Sequence, residues 1–221
     1  MAIVRAPVFL LLAALSLSCA AAPFAVRLGS ERVVLDTPPG FADTLDLGSP
    51  RLLELAEALT SASNRILVFA LTDADLRRFT LGDTPDLHRY LLVATPRATE
   101  RDHMSAERFR AFAADSLRNL GTPAQPADIR KQLDAQPQGR ALLLWELRRT
   151  PEAVSVLEGT RLPLKADAKP HYLLSTTTLL LLRGKALSVS AFTVLREDAD
   201  ADWLRAATAR WVDELLRLNA R

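Results

Sequence analysis

Asp102, His103 and Ser105 are of the residue types that hydrolases use for nucleophilic catalysis, and they stand close together before a stretch of helical character. A Ser-His-Asp relay requires each side chain to hydrogen-bond the next one. Neighbouring residues at the start of a helix point in different directions, so these three cannot form such a relay among themselves. A serine before an apolar helical stripe is typical of an N-cap. We therefore predict no catalytic residue here.

The three histidines, His88, His103 and His171, show no spacing that is typical of a metal site. No two of them lie at i, i+4 spacing on a helix, and Cys19 is the only cysteine. No glycine-rich loop follows a predicted strand, so the backbone cradle of a nucleotide site is missing. The sequence predicts neither a metal nor a cofactor.

Arginines are concentrated in the loop before the second long predicted helix, and they include Arg97 and Arg101. They indicate either a site for an anion or acidic partner, or a solvated surface balanced by nearby acidic residues. The formal net charge of the whole chain is only +2. Such a balance argues against a nucleic-acid binder that relies on a basic face.

Three aromatic residues complete the candidates for a binding surface. Phe41 follows the turn residues Pro38-Pro39-Gly40 and is placed to fold back onto the core. Trp203 and Trp211 share a predicted helix, on which Trp211 belongs to the apolar stripe. Trp203 lies near the start of that helix and is either a core residue or an exposed binding residue. The predicted binding surface consists of Phe41, Trp203, Arg97 and Arg101.

The region from Tyr172 to Leu218 gives the clearest prediction of secondary structure. Tyr172 to Leu182 contains no charged residue and predicts a strand, Arg183-Gly184-Lys185 a turn, and Ala186 to Leu195 a second strand. An amphipathic helix follows from Ala199 to Leu218, with acidic residues at its start and arginines at its end, as the helix dipole favours.

The rest of the chain predicts further strands and helices. We expect strands over 31–36, 64–72 and 88–95, helices over 50–61 and 105–120, a helical turn over 72–79 and a small helix over 126–136. Residues 141–147 and 154–157 fit either a strand or a helix, so the conformation of 121–170 stays open. The order of elements predicts one α+β domain over 24–221, with a mainly antiparallel sheet flanked by helices and a long C-terminal helix.

The N-terminal residues resemble a secretory signal. Arg5 precedes an apolar run from Pro7 to Leu17, and small residues follow it. We expect a signal peptide over 1–20 with cleavage near Ala20. Two alternatives remain open: lipidation of Cys19, and an uncleaved membrane anchor over 6–26.

The element order resembles that of the PsbP-like fold, which includes the bacterial DcrB-like envelope lipoproteins. The likeness rests on a strand leading into Pro-Pro-Gly-Phe41, a helix, an antiparallel sheet, the strand pair around Arg183-Gly184-Lys185 and the terminal helix with its tryptophans. The resemblance implies a helix-flanked antiparallel sheet and a non-catalytic role in assembly or partner binding. It transfers no site residues.

The sequence therefore predicts a bacterial protein exported to the periplasm or attached to the membrane as a lipoprotein. We expect a non-catalytic binding or accessory module for an envelope protein or small ligand, with membrane contact only through the N-terminal segment. The alternatives are a periplasmic hydrolase whose site is assembled only in three dimensions, and a purely structural envelope protein. A cleft joining His88 or His103 to a buried carboxylate would favour the hydrolase. An exposed apolar surface with Phe41 or Trp203 would favour the binding module.

Overall fold

The computed structural model describes residues 22–163 and 171–220. The strands in these ranges are β1 (Phe24–Leu28), β2 (Glu31–Leu35), β3 (Phe41–Asp43), β4 (Asn64–Thr72), β5 (Arg89–Pro96), β6 (Ala141–Arg149), β7 (Ala153–Arg161), β8 (Tyr172–Leu182) and β9 (Lys185–Val194). The helices are α1 (Pro50–Ala58), α2 (Asp73–Thr80), α3 (Ala106–Leu117), α4 (Ile129–Asp134) and α5 (Ala199–Asn219).

Seven strands form one antiparallel sheet in the order β3-β4-β5-β9-β8-β7-β6. Its central hairpin, β8–β9, turns at Arg183 and Gly184, whose φ angles are 50° and 72°. Two consecutive positive φ angles are typical of the tight turns that match the twist of a hairpin. The predicted fold class is confirmed: a single α+β domain with a mainly antiparallel sheet, flanking helices and a long C-terminal helix.

Helix α5 covers one face of the sheet. Alternation along β8 points Leu174 and Leu180 towards this face, where they join Leu204, Trp211 and Leu215 of α5 in the main hydrophobic core. Successive side chains of a strand point to opposite faces, so Leu179 packs on the other side, in the cluster around α3. Trp211 is only 3% exposed, which confirms its prediction as a core residue.

Threonines of β8 make hydrogen bonds inside this core. Thr176 and Thr208 of α5 share a hydrogen bond of 2.6 Å between their hydroxyls, and Thr178 shares one of 2.7 Å with Ser155 of β7. Buried hydroxyls must find partners, because leaving one unpaired costs about 1–3 kcal/mol. The Leu/Thr composition of β8 therefore reflects packing against α5 and β7.

A separate hairpin, β1–β2, packs against α5 through Leu28, Val33 and Leu35 of the main core. Asn219, at the end of α5, joins the two elements. Its side-chain amide donates to the carbonyl of Val34 at 2.8 Å, and its Oδ1 accepts the Val34 N–H at 2.9 Å. These two bonds satisfy the N–H and the C=O of Val34, which would otherwise need a further strand beside β2 as their partner.

Helices α1 and α3 cover parts of the opposite face. Leu52 and Ala56 of α1 pack on Phe69 and Tyr90, and Phe109 of α3 lies in a cluster with Val154, Leu179 and Ala186. Ser105 is the N-cap of α3, since its hydroxyl accepts the N–H of Arg108 at 3.2 Å. The capping role predicted for Ser105 is thus confirmed.

Three regions differ from the expectations or extend them. The ambiguous segments 141–147 and 154–157 lie within strands β6 and β7. Strand β1 was not predicted. The alternative of a membrane anchor over 6–26 includes residues 24–26, which the structure places in β1, so that alternative is wrong over these three residues. The predicted signal peptide over 1–20 and Cys19 lie outside the described residues. Among the described helices, none is long and apolar enough to cross a membrane.

Lys185 is a buried lysine that fastens the loop before α3 to the central hairpin. It is 2% exposed, and its Nζ donates to the carbonyls of Asp102 and Glu100 at 2.7 and 3.1 Å. Next to it, the N–H of Met104 donates to the carbonyl of Gly184 at 2.8 Å. A Cβ on Gly184 would lie 2.2 Å from the His103 ring, so the loop packs directly on the glycine of the turn.

We expect Lys185→Met to lower the free energy of unfolding by about 2 kcal/mol, because two carbonyls lose a charged donor. Urea denaturation at neutral pH measures this change. Lys131→Met is the matched control, because Lys131 is exposed and should change stability by less than about 0.5 kcal/mol. Equal midpoints for the two variants would contradict the role assigned to the Lys185 hydrogen bonds.

Candidate functional site

The segment between β2 and β3 lies beside α5 and forms one wall of a surface groove. The N–H of Phe41 donates to the carbonyl of Pro38 at 3.1 Å, and Gly40 supplies the positive φ of 85° that this turn requires. Trp211 holds the start of the segment, since its indole N–H donates to the carbonyl of Asp36 at 2.8 Å. The turn therefore presents Phe41 next to the first half of α5.

Two of the predicted binding residues meet in this groove. The rings of Phe41 and Trp203 stack with their centroids 6.3 Å apart and an interplanar angle of 28°. The guanidinium of Arg89 lies 4.0 Å from the centroid of the Trp203 ring. Phe41 and Trp203 are each half-buried, so both contribute surface to the groove.

The groove has a volume of about 380 Å³. We call it the aromatic groove; its lining residues are Asp36, Thr37, Pro38, Pro39, Phe41, Trp203, Ala207, Arg210, Trp211 and Glu214. Ligand pockets for small molecules begin at about this size. The groove is therefore large enough for one or two side chains of a partner.

A buried carboxylate fixes the position of Arg89 against the face of the Trp203 ring. Asp200 is 5% exposed, and its Oδ1 accepts a hydrogen bond of 2.8 Å from Arg89. Its Oδ2 accepts the backbone N–H groups of Arg196 and Glu197, both at 2.9 Å. Burial acts to raise the pKa of Asp200, but these hydrogen bonds outweigh it and leave the pKa below the usual value.

His88 stands beside the same carboxylate, with its Nε2 3.6 Å from Asp200 Oδ1. Burial lowers the pKa of His88, and the nearby charge of Arg196 lowers it further. Both oxygens of Asp200 already accept the hydrogen bonds that fix Arg89 and the start of α5. The contact between His88 and this carboxylate is the pair that the hydrolase alternative calls for, but neither residue lines the groove beside Phe41 and Trp203.

The acidic residues inside the groove differ in their partners. Glu214 forms two hydrogen bonds with Arg217, of 2.7 and 2.5 Å, and these lower its pKa. Burial raises the pKa of Asp36; the N–H of Thr37 offsets part of this effect, and the charge of Glu214 adds to it. Asp36 is thus a partly buried carboxylate next to another carboxylate.

The other two predicted binding residues lie apart from this pair of aromatic rings. Arg97 donates from Nε to the carbonyl of Asn64 at 3.0 Å and lines a different cavity, of about 440 Å³, together with Leu53 and Glu57. Arg101 is exposed, and its backbone packs against Gly29. The structure therefore brings Phe41 and Trp203 together but not Arg97 and Arg101.

The three histidines also lie in different surroundings: His88 beside Asp200, His103 against Gly184, and His171 next to the start of β8. Within 22–163 and 171–220 there is no group of three or more His, Cys, Asp or Glu side chains that could hold a metal ion.

Sequence reasoning missed Arg89, Asp200 and Asp36. Asp200 was interpreted as one of several acidic residues that complement the dipole of α5. The pairing of Asp200 with Arg89 had one signal in the sequence: an acidic residue in the first turn of a helix and an arginine at the start of a predicted strand. Only the strand order, in which β5 lies next to β9, places the two side chains within hydrogen-bonding distance.

No protein-family model matches the chain, and no curated protein sequence matches it either. Among solved structures, the chain is similar to the Ran-binding protein Mog1p of Saccharomyces cerevisiae, at 14% identity and a TM-score of 0.37. The match covers 91% of this chain and 94% of that one. A mutant of protein Mog1 gives the same identity and TM-score, with 90% and 94% covered.

These comparisons correct several expectations. The structures found are those of Mog1p and not of PsbP-like or DcrB-like proteins, so the comparisons do not support that resemblance. Element order alone is common to many chains, which explains the mistaken assignment. The prediction of an exported envelope protein has no support in the comparisons either, since the structures found are those of a Ran-binding protein. The export prediction rested on an N-terminal stretch outside the described residues.

The expectation of a binding partner is supported in its coarser form. Mog1p is described as a Ran-binding protein. The narrower expectations of an envelope partner and of membrane attachment have no support. A TM-score of 0.37 is too low to transfer the partner of Mog1p to this chain.

Proposed function

We propose that this protein is a protein-binding module that receives a segment of its partner in the aromatic groove. The observation behind the proposal is the stacked pair of Phe41 and Trp203, which two distant parts of the chain bring to a half-exposed surface. Aromatic residues in surface grooves commonly provide most of the binding energy of protein interfaces.

Arg89 and Asp200 favour binding because they hold the Trp203 ring in place before a partner arrives. Arg89 lies over the ring, and buried Asp200 holds Arg89 through a hydrogen bond of 2.8 Å. Ordering a side chain on binding costs about 0.5–1.5 kcal/mol. A ring that is already ordered avoids this cost, which makes Trp203 a suitable anchor for a partner.

Site-specific photo-crosslinking in living cells tests this proposal. We would place p-benzoylphenylalanine at Arg210, which is exposed and lines the groove. Illumination should give a discrete adduct of higher mass, identified by mass spectrometry. The same amino acid at Leu81 is the control, because Leu81 is 81% exposed and does not line the groove.

The Trp203→Ala substitution completes the design. It should abolish the Arg210 adduct, while the far-UV circular dichroism spectrum shows that the fold is retained. Adducts of equal yield from the two crosslinking positions, or an Arg210 adduct that survives Trp203→Ala, would show that the groove is not the partner site.

A further inference from the structure

The Asp36 carboxylate lies in the aromatic groove. Its Oδ1 accepts the N–H of Thr37 at 2.8 Å, whereas within the described ranges its Oδ2 accepts no hydrogen bond. No ion pair joins Asp36 to a lysine, arginine or histidine in the same ranges. A partly buried carboxylate whose second oxygen can still accept a hydrogen bond attracts a positively charged group.

The neighbouring charges leave this attraction in place. Glu214 is the charged group whose field acts on Asp36, and it is negative. Arg217 is engaged with Glu214 through two hydrogen bonds. Arg210 also lines the groove; it is exposed, and within the described ranges it forms no ion pair with Asp36. A basic group of a partner would therefore find the Asp36 carboxylate available as its counter-ion.

The aromatic rings of the groove suit the same kind of group. A guanidinium or ammonium over an aromatic face gains about 0.5–2 kcal/mol, depending on desolvation. Arg89 already occupies one face of the Trp203 ring at 4.0 Å, and Arg205 makes the same kind of contact with Trp145. The aliphatic stem of a lysine or arginine would pack on Pro38 and Ala207, which line the groove.

We infer that the aromatic groove binds a lysine or arginine side chain of the partner segment, with the Asp36 carboxylate as its counter-ion and Phe41 and Trp203 as its apolar walls. The inference rests on the proposed function and specifies the chemistry of the partner. The basic side chain forms a charge-assisted hydrogen bond to Asp36 Oδ2, and flanking apolar residues of the segment cover the rings.

Selection from a phage-displayed library of random peptides tests this inference. Peptides selected on the unmodified protein should be enriched in lysine or arginine next to an apolar residue. Synthetic copies are then measured by fluorescence anisotropy against Asp36→Asn, Trp203→Ala and the control Asp115→Asn. Asp115 is exposed and lies on α3, which packs on the opposite face of the sheet from α5.

We expect Asp36→Asn to weaken binding by about tenfold, the loss expected for one hydrogen bond to a charged group. Norleucine in place of the basic residue of the peptide should cause a similar loss, and the two changes together should cost little more than one alone. Asp36→Asn should fold normally, because Trp211 bonds to the backbone carbonyl and asparagine can still accept the Thr37 N–H.

The other outcomes separate the two proposals. Peptides that need Trp203 but bind Asp36→Asn as tightly as the unmodified protein would overturn the basic anchor and leave the proposed function standing. Failure to select any peptide that depends on Trp203 would overturn both. If Asp115→Asn lost as much peptide affinity as Asp36→Asn, the loss would reflect a general attraction between the protein and positive charge, and the specific role of Asp36 would be overturned.

Discussion

Replacing Trp211 with alanine should lower the free energy of unfolding by about 3–5 kcal/mol, the range measured when large buried aromatic residues are truncated. Trp211 is 3% exposed and lies in the main core with Leu204 and Leu215. The substitution also removes the indole N–H that holds the carbonyl of Asp36. Guanidinium denaturation followed by circular dichroism measures the loss.

Trp211→Phe separates packing from hydrogen bonding. Phenylalanine retains most of the buried ring but leaves the Asp36 carbonyl without its donor, which should cost about 1–2 kcal/mol. This variant should also loosen the segment between β2 and β3 that presents Phe41. If Trp211→Ala lost no more stability than Trp211→Phe, packing in the core would not be the main contribution of Trp211.

The second large effect is expected at Asp200. Asp200→Asn should cost about 3 kcal/mol at neutral pH, because it removes the buried carboxylate and leaves half-buried Arg89 without its charged partner. It also weakens the acceptor of the Arg196 and Glu197 N–H groups. The midpoint of urea denaturation measures the cost, and Asp202→Asn is the control, because Asp202 is an exposed residue of the same helix.

The loss of stability caused by Asp200→Asn should become smaller at low pH. The pKa of Asp200 is lower in the folded protein than its usual value of 3.8. Its stabilising contribution is therefore fully present above the unfolded pKa and is lost as the pH falls through the folded pKa. The two proteins should differ by a constant amount above about pH 5 and converge in stability below about pH 3.8. An undiminished difference at the acidic end would contradict the assignment.

His88 adds a second dependence at higher pH. Its folded pKa lies below the usual value of 6.5, mainly because of burial. Protonation then favours the unfolded chain, so this contribution is complete above about pH 6.5 and is lost as the pH falls through the folded pKa. Both groups act in the same direction, so the contributions of His88 and Asp200 should be lost one after the other on acidification.

Most of the fold could be predicted because the elements that build its centre have clear periodicity. Strands β8 and β9 are long and apolar, and α5 has an apolar stripe with charged ends. Strand β6 resisted prediction for a physical reason: irregularities between Leu143 and Trp145 and between Glu146 and Arg148 interrupt its alternation. Strand β1 was missed because Phe24 to Val26 continue an apolar N-terminal stretch that resembles a signal.

The candidate site could be predicted only in part. Phe41 and Trp203 attracted interest by residue type, since an aromatic ring next to a turn or a helix start is often partly exposed. Asp36, Arg89 and Asp200 are polar residues of the types found on any protein surface. Their role depends on burial and on contacts between distant segments, and a single sequence contains neither.

The two hydrogen bonds between Asn219 and Val34 affect the order in which parts of the chain fold during translation. Val34 leaves the ribosome long before residue 219 has been added, and a two-stranded hairpin alone is at best marginally stable in water. The β1–β2 hairpin must therefore wait, with its apolar side uncovered, until α5 emerges and docks. A nascent chain stalled before α5 should be a chaperone client, while the finished chain should not.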